Sequence, residues 1–244
     1  MPGVPVDPAP HVDIPSSQRL IVALDVPDAD VARALVEELG DAVEFYKIGL
    51  ELCASGSYFE LLEWLVRRDK HVFADLKLYD VPATVAAAVR QLSGWGASFL
   101  TVHGDRSIME AAASEKGHLQ ILAVTVLTSM DGEDLHQMGI EWDVKSLVLE
   151  RARLAVASGC DGVIASGLEA AALRHTLGPE PIIVTPGIRP TSESSRDDQK
   201  RIVTPGQAFE SGASYIVIGR PIRNAPSPRQ MAETIQAEIT AALQ

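Results

Sequence analysis

From residue 19 onward, short runs of β-branched and aliphatic residues alternate with longer amphipathic stretches. The apolar runs are RLIVALDV (19–26), FYKIGL (45–50), HVFADLKL (71–78), FLTVHG (99–104), QILAVTVL (120–127), DGVIASG (161–167), PIIVTPGI (181–188) and YIVIGR (215–220). Their length and composition are those of buried strands. The stretches between them carry apolar residues at helical spacing. Val31, Leu35 and Leu39 recur in DADVARALVEELG before Gly40, and Met231, Ile235, Ile239 and Leu243 do so in the last segment. Eight strand–helix units predict a single α/β domain, and a (β/α)8 TIM barrel needs roughly 220–250 residues for them. A doubly wound open sheet is the competing architecture. No linker or composition shift divides residues 19–244, whereas residues 1–18, with proline at 2, 5, 8, 10 and 15, read as a flexible N-terminal arm.

Composition narrows the function classes. The chain is 46% hydrophobic and 22% charged, as expected of a globular protein with a sizeable core. A net charge of −12 gives no general attraction to nucleic acid or anionic membrane. No apolar stretch reaches the ~20 residues of a membrane-spanning helix. The N-terminus lacks a basic start followed by an apolar block, so no secretory signal is expected. Cys53 and Cys160 are isolated, which reads as two reduced thiols in a cytoplasmic protein. The six histidines form no ligand-spaced cluster, so no transition-metal site is expected.

Polar residues gather where the strands end. Asp25 closes the first, Lys47 lies in the second, and Asp75 and Lys77 sit late in the third. His103 ends the fourth, Thr128 and Ser129 follow the fifth, Pro186-Gly187 end the seventh and Gly219-Arg220 the eighth. Catalytic groups of barrels collect at the C-terminal strand ends. Because strand side chains alternate, Phe73, Asp75 and Lys77 share one face, with the Asp75 and Lys77 Cα atoms ~7 Å apart. Lys47 can reach the same space from the adjacent strand. A structural ion-pair network fits these charges as well as a catalytic site does. Asp80, just before VPATV, reads equally as a cap of the next helix, and His103 as a hydrogen-bonded core residue.

DLKLYDVPATV resembles the D-x-K-x-x-D signature of the orotidine 5′-monophosphate decarboxylase suprafamily. ALDV (23–26), YKIGLEL (46–52), AVTVLTSM (123–130), VTPGIRP (184–190), DDQKRIVTP (197–205) and VIGRP (217–221) narrow the resemblance to the orotidine 5′-phosphate decarboxylase family. It covers residues 19 to 240. The resemblance implies a cytoplasmic homodimer of TIM barrels, with neither metal nor organic cofactor. Its implied reaction removes CO2 from C6 of orotidine 5′-monophosphate to give UMP in de novo pyrimidine biosynthesis. Carried over by position, Lys47, Asp75 and Lys77 belong to one chain's site, Lys77 supplies the proton to C6, and Asp80 enters from the partner chain. Asp25, Lys47 and the partner-borne Thr84 fall at the ribose, and Thr128 and Ser129 at the pyrimidine. Pro186, Arg189, Gln199, Gly219 and Arg220 complete the substrate site. Arg220 and Gly219 hold the phosphate, and Arg189 and Gln199 flank a lid, RPTSESSRDDQ.

Two positions depart from the family's usual pattern: Tyr79 stands where histidine is common, and Ala83 where asparagine is common. Neither removes a charge, so altered loop contacts and an unaltered reaction are expected. Two rivals remain. Hexulose-6-phosphate synthase and ketogulonate-6-phosphate decarboxylase share D-x-K-x-x-D but use Mg2+ and an acidic ligand at the second strand, where this chain has Lys47. A non-catalytic nucleotide-binding barrel would have no reason to keep both lysines and both aspartates together.

Overall fold

The computed structural model describes residues 14–190 and 203–244. Eight strands are described: β1 Leu20–Ala23, β2 Phe45–Gly49, β3 His71–Leu78, β4 Phe99–His103, β5 Gln120–Val124, β6 Gly162–Ile164, β7 Ile182–Thr185 and β8 Tyr215–Ile218. All neighbouring pairs are parallel, and β1 also pairs with β8, so the sheet closes into a barrel in chain order. The fold is a (β/α)8 barrel, and the open doubly wound sheet is excluded. The ladders stop short of several apolar runs. In the first run Leu24 still donates its N–H to the Lys47 carbonyl at 2.9 Å, but Asp25 turns out of the sheet.

The core has two parts. Side chains between barrel and helices form two large clusters, one around Leu20, Ile48 and Ile216, the other around Leu100, Ile121 and Ile183. Inside the barrel, Phe45, Phe73, Phe99 and Tyr215 interlock, with centroids 5.0 Å apart for Phe45–Phe99 and 5.1 Å for Phe99–Tyr215. These rings fill the lower barrel and leave the upper end to polar groups. Along β2 and β3 the inward row runs from aromatic to charged: Phe45 then Lys47, and Phe73 then Asp75.

The helix Ala29–Leu39 buries Ala29, Ala32, Val36 and Leu39, whereas Val31 is exposed and Leu35 only partly covered. The expected stripe of Val31, Leu35 and Leu39 is therefore rotated. Small Ala32 sits over the barrel where its size allows close packing, a signal that weighing only large apolar residues overlooks. The helix Pro228–Ala242 buries Ala232, Ile235 and Ile239, as its periodicity suggested, but Leu243 lies beyond it and is exposed. Near the chain start, Ser16–Gln18 form a 3-10 turn, Ile14 packs on the inner core, and Ser17's carbonyl accepts from Gln236 Nε2 at 3.0 Å. The described end of the expected arm is thus fastened to the barrel.

Candidate active site

At the C-terminal end of the barrel, four groups of alternating sign follow one another. Lys47 Nζ donates to Asp25 Oδ1 at 2.8 Å and lies 3.4 Å from Asp75 Oδ2. Lys77 Nζ lies 2.8 Å from both Asp75 oxygens. Thr101 Oγ1 donates to Asp75 Oδ1 at 2.9 Å. At an effective dielectric near 20, opposite charges 3.4 Å apart attract by about 5 kcal/mol. That attraction is needed because burial disfavours each isolated charge. Burial pulls the Lys47 ammonium down, yet Asp75 and Asp25 outweigh it and hold the pKa above the ordinary lysine value. Burial likewise pushes Asp75 up, but Lys47, Lys77 and Thr101 overcome it and hold the carboxyl below its usual range. Both groups stay charged. The Lys77 side chain is 31% exposed, against 11% for Lys47 and 12% for Asp75, so Lys77 is the member presented outward.

The backbone that delivers Lys77 is irregular. The register between β3 and β4 shifts between Ala74 and Leu78, and Lys77 takes φ 48°, a left-handed value unusual for a residue with a side chain. Its N–H donates to Thr101 Oγ1 at 2.9 Å instead of continuing the ladder. Alternation correctly puts Asp75 and Lys77 on one face, but the bulge re-aims Lys77 so that its ammonium folds back over the carboxylate. Residues held in such backbone regions cluster at functional sites. Gly49 provides clearance on the other side: a Cβ there would sit 3.3 Å from Lys47 Nζ.

Two adjoining cavities open from this chain. One, of about 150 Å³, holds Lys47, Asp75 and Lys77 against Phe73, Val217 and Ile164, with Pro186 and Thr128 on its wall. The other, of about 210 Å³, shares Lys47, Pro186 and Val217 and adds Asp25, Gly187, Arg189, Gly219, Arg220 and Arg223. Gly187 has φ 79°, a turn that lets the loop after β7 lie flat beside the cavity. Beyond it, Arg189 is buried, its N–H bonds the Val203 carbonyl at 3.0 Å, and Ile188 bridges to Val203. Residues 188–189 and 203 are thereby paired.

The structure therefore gathers Asp25, Lys47, Asp75, Lys77, Thr128, Pro186, Arg189, Gly219 and Arg220 around these two adjoining cavities. Ser129 is exposed and lines neither cavity. Gln199 and most of the expected lid lie outside the described residues. Asp80 and Thr84 stand apart. Residues 79–84 are all exposed, with Tyr79 at 65% and Val81 at 62%. Asp80 accepts from the Val81 N–H at 2.6 Å and makes no ion pair among the described residues. It does not cap the helix Pro82–Leu92, whose N-cap position is Val81. Tyr79 packs its ring 5.0 Å from His103, and nearby Asp105 holds its phenol pKa above the ordinary value. Burial and nearby Arg151 hold the His103 pKa low, and His103 stays outside the charge chain.

Sequence reasoning missed Thr101, Gly49 and Arg223. The first two stand in inward rows, two residues after Phe99 and two after Lys47. Arg223 lies one helical turn past Arg220.

Comparison with known proteins identifies the family. The family model described as orotidine 5′-phosphate decarboxylase / HUMPS matches residues 18–235. An orotidine 5′-phosphate decarboxylase of Methylococcus capsulatus is 58% identical over 226 residues, 93% of each chain. One of Xanthomonas axonopodis pv. citri is 55% identical over 228 residues, again 93% of each. Among solved structures, orotidine 5′-phosphate decarboxylase from Lactobacillus acidophilus superposes with a TM-score of 0.81 at 33% identity, covering 91% of this chain and 99% of that one. By sequence along nearly its whole barrel, and by the shape of that barrel, the chain belongs to the orotidine 5′-phosphate decarboxylase family.

Proposed function

We propose that the chain is a decarboxylase that converts orotidine 5′-monophosphate to UMP and CO2, with Lys77 as the proton donor. The observation that carries this reading is the chain Asp25–Lys47–Asp75–Lys77 beside an arginine-lined cavity. The substrate has the matching polarity: a carboxylated pyrimidine at one end and a phosphate at the other. The pyrimidine lies over Lys77 and Asp75, with Thr128 and Pro186 at its edge and Ser129 on the loop above. The ribose reaches Asp25 and Lys47. The phosphate meets Arg220, Gly219 and Arg189, with Gln199, outside the described residues, as a further contact.

Each step follows from this placement. The C6–carboxylate bond breaks, CO2 departs neutral, and the electron pair stays on C6. Lys77 Nζ gives C6 a proton and becomes an amine, which solvent reprotonates after product leaves. Asp75 remains ionised, so it repels the substrate carboxylate by about 4 kcal/mol at ~4 Å and an effective dielectric near 20, a repulsion that ends as CO2 forms. Lys47, Lys77 and Thr101 hold the carboxylate in place before substrate arrives, so little reorganisation accompanies the reaction.

The same reading makes the enzyme a homodimer in which Asp80 and Thr84 complete the partner's site. It is supported by the exposure of Tyr79 through Thr84 and by Asp80 having no ion pair within its own chain among the described residues. The test is UMP formation from orotidine 5′-monophosphate in excess EDTA. Turnover is expected to persist, and Lys77→Ala is expected to stop CO2 release while UMP still binds. Robust turnover by Lys77→Ala would remove Lys77 from the proposed role, and silence in EDTA would point to the metal-dependent relatives.

A further inference from the structure

Arg223 belongs to none of the motifs that carry the family resemblance, yet it lines the same cavity as Arg189, Gly219 and Arg220. Its Nη1 donates to the backbone carbonyl of Asp25, which joins the short helix after β8 to the end of β1. Its Nε is buried and meets no hydrogen-bond acceptor among the described residues. A Cβ built on Gly219 would lie 3.9 Å from this Nε and 3.8 Å from Asp25 Oδ2, so the two groups flank one glycine. Among the described residues, Lys47, Arg189, Arg220 and Arg223 line this cavity together with Asp25. Guanidinium groups bind phosphate oxygens well, and a buried guanidinium N–H without an acceptor among the described residues is costly unless a ligand or a small shift satisfies it.

We infer that Arg223 is a further phosphate-binding residue that also positions Asp25. Its guanidinium supplies donors to the substrate phosphate, while its bond to the Asp25 carbonyl fixes the β1 end at the ribose. Phosphate occupancy and the alignment of Asp25 with Lys47 are then tied through one side chain. The inference rests on the reading of this cavity as the phosphate end of a nucleotide site.

The test compares UMP with uridine, which lacks the phosphate, binding to the full chain as wild type, Arg223→Ala and Arg223→Lys. Arg223→Ala is expected to weaken UMP about 10- to 100-fold and uridine only about threefold, the smaller loss being the share that follows from a loosened Asp25 at the ribose. Added guanidinium ion, at concentrations too low to unfold the protein, is expected to restore part of the UMP affinity. Arg223→Lys keeps a donor but not the planar fork, so an intermediate, UMP-selective loss is expected, and it carries the test if the alanine variant fails to fold. Equal weakening of UMP and uridine would reduce Arg223 to a structural clamp, and unchanged UMP affinity would overturn the inference outright. If wild type binds UMP no more tightly than uridine, the reading of the cavity itself fails, an outcome distinct from failure at Arg223 alone.

Discussion

Replacing Thr101 by valine removes one oxygen from beneath the charge chain and preserves the shape of the side chain. That oxygen has two tasks: it donates to Asp75 Oδ1 at 2.9 Å and accepts from the Lys77 N–H at 2.9 Å. The first bond, to an ionised acceptor, contributes about 1.5–3 kcal/mol, and the second group, left without an acceptor, costs about 1–3 kcal/mol. The two ammonium groups still hold Asp75, and the bulge at Lys77 can relax, so the two penalties do not add in full. We expect a net loss near 3 kcal/mol. In a domain of this size that lowers Tm by about 6–12 °C.

Activity should fall further than stability alone requires. Lys77 is held at φ 48° by this N–H bond, and without it the ammonium loses its fixed aim. A drop in kcat of at least about tenfold is expected, with KM changed less than about threefold. Thr101→Ser retains the oxygen and should recover most of kcat, which separates hydrogen bonding from packing. Calorimetry and steady-state CO2 release on the three proteins give the answer. If Thr101→Val stays within about 0.5 kcal/mol of wild type and keeps its kcat, the hydroxyl does not organise the site.

Two other outcomes can be checked separately. Arg220→Ala should raise KM strongly, and phosphite should partly restore turnover of a substrate lacking its phosphate in wild type but not in this variant; an unchanged KM would take Arg220 out of the site. The stability difference between wild type and Asp75→Asn, followed by urea melts across pH, should be flat from about pH 5 to pH 9 and shrink outside that window. The acid side follows because the Asp75 pKa is lowered by folding, so its contribution is complete above the unfolded value and lost as pH falls through the folded one. The alkaline side follows because the Lys47 pKa is raised, so its contribution is complete below the unfolded value and lost as pH rises through the folded one. A steep slope near neutrality would contradict the pairing.

Much of this architecture is legible in the sequence because buried parallel strands are short, apolar and bounded, and all eight can be found without coordinates. The charged strand ends are equally visible, since lysine and aspartate inside an apolar run are rarely buried unless paired. Other features depend on tertiary context. The left-handed turn at Lys77 arises where β3 slips against β4, and nothing local in DLKL announces it. Thr101 looks like any strand threonine until Asp75 is known to stand beside it. The packing face of Ala29–Leu39 is set by the barrel surface below it, which favours Ala32 and Val36 over the bulkier Leu35. The proposed roles of Asp80 and Thr84 concern two chains at once, so neither one sequence nor one folded subunit can display them.

Mixing two inactive proteins tests the shared charge chain most directly. Asp80→Asn and Lys77→Ala chains, each dead alone, should form hybrid dimers in which one site has lost both groups and the other keeps both. At equal amounts and random exchange, half the dimers are hybrids with one intact site of two, so about a quarter of wild-type activity should return. Subunits that demonstrably exchange yet remain inactive would contradict the claim that two chains build each site around Lys77.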